Sequence, residues 1–387
     1  MSRAHNSSAS SSIRRALSLL ATFGLAVGFV GIVASVTQAE VSDSNGQIAF
    51  GRWNPKLDDS QIFTVNPDGT GEHLLLPDGA ESPRWSPDGT KIAVTITGLP
   101  GGVRGEATLN PDGSGYKLLD PSPALELSCE AWSPDGKRLA CAGWGGHPRV
   151  EDGLYTIRAS DGGDLEQLTT YPNGTLDAQF TNDIPLGYSP DGSRILFDRN
   201  HKNDHGSLFV VNTDGSHLQR LNPRSLKVNS DQGPGWSPDG SHVTFAAIFK
   251  ESTANGTGTA LYVVKSDGTD LTQITPSGLG AFRASWSPDG SLIAFNSKWR
   301  ADFQIWVVHP DGSGRTSLTS GTADVSFTPE WAPDGTQLVF QRVHWVNGHG
   351  QEDLWTMNSD GSGLRQLTNT PSPSDEGQAQ WGTTPVG

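Results

Sequence analysis

A five-residue word, aromatic-Ser/Ala-Pro-Asp-Gly, recurs along this chain, and its spacing constrains the fold more than any bulk property. It reads Trp85-Ser-Pro-Asp-Gly89, Trp132-Ser-Pro-Asp-Gly136, Tyr188-Ser-Pro-Asp-Gly192, Trp236-Ser-Pro-Asp-Gly240, Trp286-Ser-Pro-Asp-Gly290 and Trp331-Ala-Pro-Asp-Gly335. Trp381 stands where a seventh copy would open, and successive aromatics lie 47, 56, 48, 50, 45 and 50 residues apart. A unit of that length, made of short strands and turns, cannot bury its apolar face alone and must stack on neighbours. Short strands joined by glycine- and proline-rich turns make that unit a β-propeller blade.

One copy, Phe327 to Thr368, shows the blade. Thr328-Pro-Glu-Trp331 reads as a first strand and Ala-Pro-Asp-Gly335 as a turn. Gln337–Gln341, Asp353–Met357 and Leu364–Thr368 follow as second, third and fourth strands. In each turn Pro presets φ, Asp bonds its own backbone and Gly accepts the left-handed conformation. The third strand repeats in register as Ile62–Val65, Leu154–Ile157, Leu208–Val211, Leu261–Val264 and Ile305–Val308. Only Glu106-Ala-Thr-Leu109 departs from the apolar pattern, so its blade is expected to be the least well packed.

The unit from Ile48 to Leu76 lacks a first strand, whereas Gln378-Ala-Gln-Trp381 is a first strand with nothing after it. Joined, they complete a seventh blade and leave no unpaired edge. The expected fold is all-β, a seven-bladed propeller of four-stranded antiparallel blades, closed by pairing of N- and C-terminal strands. It is expected to span residues 46–382, after a short linker at 40–45 and before a tail at 383–387.

The Trp-Ser-Pro-Asp-Gly repeats resemble those of the TolB-type propeller family, which also occur in propeller domains of prolyl-oligopeptidase-type enzymes. The resemblance covers residues 46–382. It departs from TolB itself, whose propeller has six blades and follows an N-terminal α/β domain. The shared word consists of turn and packing residues, so the resemblance implies a fold and not a Tol-system role.

Residues 1–39 follow other rules. Arg3, Arg14 and Arg15 precede an apolar stretch from Ala16 to Val36, and Thr37-Gln38-Ala39 offers a small-residue cleavage site. This reads as a secretory signal peptide and places the protein outside the cytoplasm, periplasmic or extracellular. An uncleaved anchor is the other reading, since about 20 apolar residues span a bilayer. The segment carries three of the basic residues and no acid, so cleavage moves the net charge from −15 to −18. Such a surface repels nucleic acid and anionic headgroups. A membrane contact is expected only if the N-terminal segment stays in place, and the chain is expected to be monomeric.

The Ser-Pro-Asp-Gly and strand-three-to-four turns share one face of a blade. The remaining loops share the other and vary in length, up to Thr170–Gly187. Recognition concentrates in variable loops on a rigid scaffold. Where strand two runs into such loops stand Trp53, Trp144, Phe249, Trp299 and Trp345, with His147, His201, His205 and His344. Two readings are open: stacking platforms around a channel mouth, suited to sugars or apolar side chains, or padding between blades. Glu81, Asp183, Asp231 and Glu376 precede the blade aromatic and are the candidates for a structural Ca²⁺ site, or for turn caps. No other cofactor is expected.

A three-residue turn at Pro134–Gly136 places Cys129 opposite Cys141, within disulfide reach, the alternative being two buried thiols. The sequence holds no Gly-x-Ser-x-Gly elbow, His-Glu-x-x-His or phosphate loop. The expected function is a non-enzymatic envelope module binding a protein, peptide or glycan on the long-loop face. A carbohydrate-active lyase or hydrolase drawing on the four histidines is the alternative.

Overall fold

A computed structural model describes residues 45–385 apart from the segments 100–102, 120–124, 146–151, 171–182, 202–203, 229–232, 249–257, 300–301, 322–323, 347–348 and 372–373. The expected signal peptide therefore lies outside the described residues, as do His147, Asp231 and Phe249.

The described residues form seven blades. Blade 1 combines β1 (Asn45–Asn54), β2 (Asp59–Val65) and β3 (His73–Leu76) with the last strand of the chain, β29 (Glu376–Thr383). Blade 2 holds β4 (Ala80–Trp85), β5 (Ile92–Ile96), β6 (Gly105–Leu109) and β7 (Lys117–Leu119). Blade 3 holds β8 (Glu126–Trp132), β9 (Arg138–Trp144), β10 (Gly153–Arg158) and β11 (Glu166–Gln167). Blade 4 holds β12 (Asp183–Tyr188), β13 (Arg194–His201), β14 (Asp204–Asn212) and β15 (Gln219–Arg220). A two-residue strand, β16 (Lys227–Val228), then bridges β14 to blade 5, which holds β17 (Gly235–Trp236), β18 (His242–Ile248), β19 (Thr259–Lys265) and β20 (Thr272–Gln273). Blade 6 runs through β21 (Ala281–Trp286), β22 (Ile293–Trp299), β23 (Asp302–Val308) and β24 (Thr316–Ser317). Blade 7 runs through β25 (Val325–Trp331), β26 (Gln337–Val346), β27 (His349–Asn358) and β28 (Arg365–Gln366). Among the described residues the strands run from Asn45 to Thr383.

The ring closes in three independent ways. First strands of successive blades pack in an unbroken cycle, β29–β4–β8–β12–β17–β21–β25 and back to β29. The apolar core is correspondingly seven separate clusters, each shared by two neighbouring blades, with Ile48, Phe50, Leu354 and Trp381 filling the seam between blades 7 and 1. The turns interlock as well. An added Cβ at Gly136, Gly192, Gly240, Gly290 or Gly335 would meet the turn proline of the preceding blade, and at Gly89 it would strike the Thr383 carbonyl instead.

In three blades the indole of the blade aromatic makes a directional bond. Trp132, Trp236 and Trp331 donate from Nε1 to the carbonyls of Arg84, Gly187 and Ser285, each on the preceding blade's first strand, at 3.1–3.2 Å. The strand-three-to-four turn is equally fixed: Gly361 has φ +84°, and a Cβ there would sit 2.9 Å from the Leu318 carbonyl of blade 6. Gly361→Ala is expected to lower stability by more than about 1 kcal/mol in a denaturant titration.

Blade 2 corrects one expectation. All five residues of β6 are buried, including Glu106, so the departure from the apolar pattern marks a polar seam and not loose packing.

Candidate functional site

The two faces differ in how their loops are occupied. On the short-turn face each aspartate is consumed by its own turn. Asp68 accepts the Thr70 hydroxyl and amide, and Asp112, Asp214, Asp267, Asp311 and Asp360 each accept the amide two residues on. The following hydroxyl and amide hold these carboxyls below the usual range. A surface built this way repeats one turn geometry around the ring.

The long-loop face is individual. Trp53 and Trp345 end the second strands of blades 1 and 7, and each is 36% exposed. Trp144 holds the same place in blade 3, half-buried, and Trp299 closes β22 opposite Asp302. These residues stand on second strands, one strand out from the first strands that surround the axis. His344 does not join them in the open. Its ring packs edge-on against Trp355 at 5.6 Å, and Nδ1 faces Asp353 Oδ2 at 3.8 Å. His201 pairs with Asp204 at the β13–β14 hairpin, and His205 follows within β14.

The acidic candidates are drawn to arginines and to the strand-four exit. Asp183 takes Nε and Nη2 of Arg199 at 2.7 and 2.5 Å, and the Thr169 hydroxyl at 2.5 Å. That hydroxyl in turn accepts the Leu154 amide, so the carboxylate ties blade 4 to the last strand of blade 3. Glu376 repeats the arrangement across the closing seam with Arg52, Thr368 and Thr370. Burial raises its carboxyl, opposed by Arg52 and the two hydroxyls. Glu81 pairs with Arg104, and burial raises it too. Among the described residues no three His, Cys, Asp or Glu side chains are placed to hold a metal ion.

Three features were missed at the sequence level. Arg52, Arg199 and Arg342 each lie over an aromatic ring of the blade face, Phe63, Phe209 and Trp355, at 4.1, 5.2 and 5.1 Å. Their signal was an arginine at one register in the second strand of blades 1, 4 and 7. Secondly, Ser82, Arg283, Thr328 and Gln378 adopt φ of 53–54° three residues before the blade aromatic, with Gly233 at the same place. Each non-glycine position sits in a bulge of the first strand, which turns the strand at the axis. The freed amides are taken by the neighbouring blade: Ser82 N–H by Gln378 Oε1 at 2.7 Å, Thr328 N–H by Asn296 Oδ1 at 2.8 Å.

The third is a register compensation. The turn after Trp132 holds four residues, with Ser133 N–H bonded to the Arg138 carbonyl, and a bulge at Glu130 restores the pairing. Cys129 thus still faces Cys141, and the sulfurs are bonded at 2.00 Å. The pair occupies the place that Phe50, Phe197, Phe245, Phe295 and Phe340 fill in other blades.

With this geometry in hand, comparison with known proteins decides the family. The TolB beta propeller domain family matches residues 178–384, more than half of the chain. The chain belongs to the TolB β-propeller family. An uncharacterized protein of Agrobacterium fabrum is 26% identical over 220 residues, 54% of this chain and 63% of that protein. The chain thus spans less than two thirds of that relative's length. Among solved structures, TolB from Acinetobacter baumannii has a TM-score of 0.51 at 16% identity, covering 88% of this chain and 67% of its own. The β-propeller domain of the trilobed protease from Pyrococcus furiosus has a TM-score of 0.60 at 14% identity, covering 85% and 97%. That domain is described as having an open velcro topology, whereas here β29 closes the seam. At these identities the likeness concerns the fold.

Proposed function

We propose that this TolB-family propeller is an exported binding module of the cell envelope that grips a protein, peptide or glycan on its long-loop face. The disulfide and the likeness to TolB point to an extracytoplasmic protein; periplasmic or extracellular residence is part of the proposal. Fold alone does not choose among functions, since TolB and protease propellers share it. The single observation that carries the reading is the contrast between faces. One is a sevenfold copy of self-bonded turns, while the other presents Trp53 and Trp345 on rigid strand ends. Indole rings held this way offer a large contact area at low entropic cost.

Replacing Trp53, Trp144 and Trp345 together by alanine is expected to abolish capture of the envelope ligand by the immobilised protein, with a far-ultraviolet spectrum unchanged. Undiminished capture would remove this face from consideration. Turnover of a polyuronide or cell-wall glycan that disappears in His201→Ala, accompanied by a stoichiometric metal, would instead establish the lyase or hydrolase reading.

A further inference from the structure

The position of Glu106 in the third strand is taken by Ile62, Leu154, Leu208, Leu261, Ile305 and Leu354 in the other blades, all fully buried. Those six side chains fill the seams between blades. Glu106 is equally buried but faces blade 3 with a carboxylate. Its Oε2 accepts the Cys129 amide at 3.2 Å and the Thr95 hydroxyl at 3.4 Å. Its Oε1 has no hydrogen-bond partner, and Arg84 Nη1, also without one, lies 3.7 Å away. Two buried polar groups that meet at this distance without a hydrogen bond make an arrangement that an aliphatic residue would avoid.

The surrounding charges do not balance. From β4 come Glu81 and Arg84, from the residue before β6 Arg104, and from β8 Glu126 and Glu130. Arg84 is held by Glu130, which also accepts the Ser128 hydroxyl. Arg104 is held by Glu81, and its amide bonds Glu126 at 3.2 Å. Three carboxyl groups, those of Glu81, Glu106 and Glu130, therefore share two guanidinium groups, and Glu106 is the deepest of the three. Burial pushes its carboxyl up to about 8, against the pull of Arg84, and Glu130 adds to the rise.

We propose that the seam between blades 2 and 3 is a proton-operated latch. Glu106 takes its proton from solvent to close the seam, and on losing it repels Glu130 and loosens β6 from β8. The disulfide lies directly behind this contact, since the amide bonded by Glu106 belongs to Cys129. It keeps β8 paired to β9 while the seam opens, so movement is confined to the interface between blades.

The direction of the effect follows from linkage. An acid whose folded-state value exceeds its unfolded value of about 4.3 costs the fold nothing below that value. Stability is then lost as pH rises from there to the folded value. Thermal midpoints of the full chain between pH 6 and 9 are expected to fall by about 5 °C relative to Glu106→Gln, whose curve lacks this component. Glu106→Leu, the residue type of the other blades, serves as the second variant. Amide exchange at Cys129, corrected for intrinsic rate, is expected to accelerate in the wild type above pH 8 and not in the variants. A carbon-13 titration of the Glu106 carboxyl in the wild-type chain needs no variant to fold. A midpoint near 4.3, or thermal curves parallel in all three proteins, overturns the latch.

Discussion

A chain ended after Asp375 is expected to lose its cooperative unfolding transition. The twelve residues removed include all of β29, which pairs with β1 from Asn45 to Arg52. Trp381 would leave the cluster that joins blades 7 and 1. Gln378 and Gln380 would no longer accept the amides of Ser82 and Trp85, and the Thr383 hydroxyl would no longer donate to the Pro87 carbonyl. Blade 2 thus loses its neighbour along with blade 1. Two adjacent seams and an exposed edge amount to a loss comparable to the whole stability of a domain, about 5–15 kcal/mol. Calorimetry of the truncated chain, with and without an added peptide of residues 376–387, measures this. An unchanged endotherm in the truncated chain would refute the dependence on closure, and recovery by the peptide would locate it in β29.

How much of this was legible in the sequence depends on where each residue's partner lies. The repeat count, strand registers and closing strand were legible because each is signalled locally, by a turn word or an alternating run. The first-strand bulges were not. A left-handed residue is usually announced by glycine, and Ser82, Arg283, Thr328 and Gln378 give no such sign. The Cys129–Cys141 pairing was anticipated through a turn one residue too short, and the bulge at Glu130 cancelled that error. Glu106 looked like a packing defect because Arg84 and Glu130 approach it from other strands. The arginine partners of Glu81, Asp183 and Glu376 were hidden for the same reason. These arginines stand on another strand or in a neighbouring loop, where only the folded register brings them together.

Arg199→Met carries the second large effect. Asp183 is fully buried, and its two short bonds to Arg199 are what compensate its charge. The Thr169 hydroxyl would remain, but a hydroxyl cannot neutralise a carboxylate removed from water. Breaking such a pair from one side costs about 3–5 kcal/mol, more than the pair itself contributes. The loss is expected in urea titrations at pH 7, and the double variant separates it from lost packing over Phe209. Asp183→Leu combined with Arg199→Met should recover part of the single-variant loss, because no uncompensated charge remains. Recovery would stay incomplete, since the Thr169 hydroxyl that orders the Leu154 amide would have lost its acceptor.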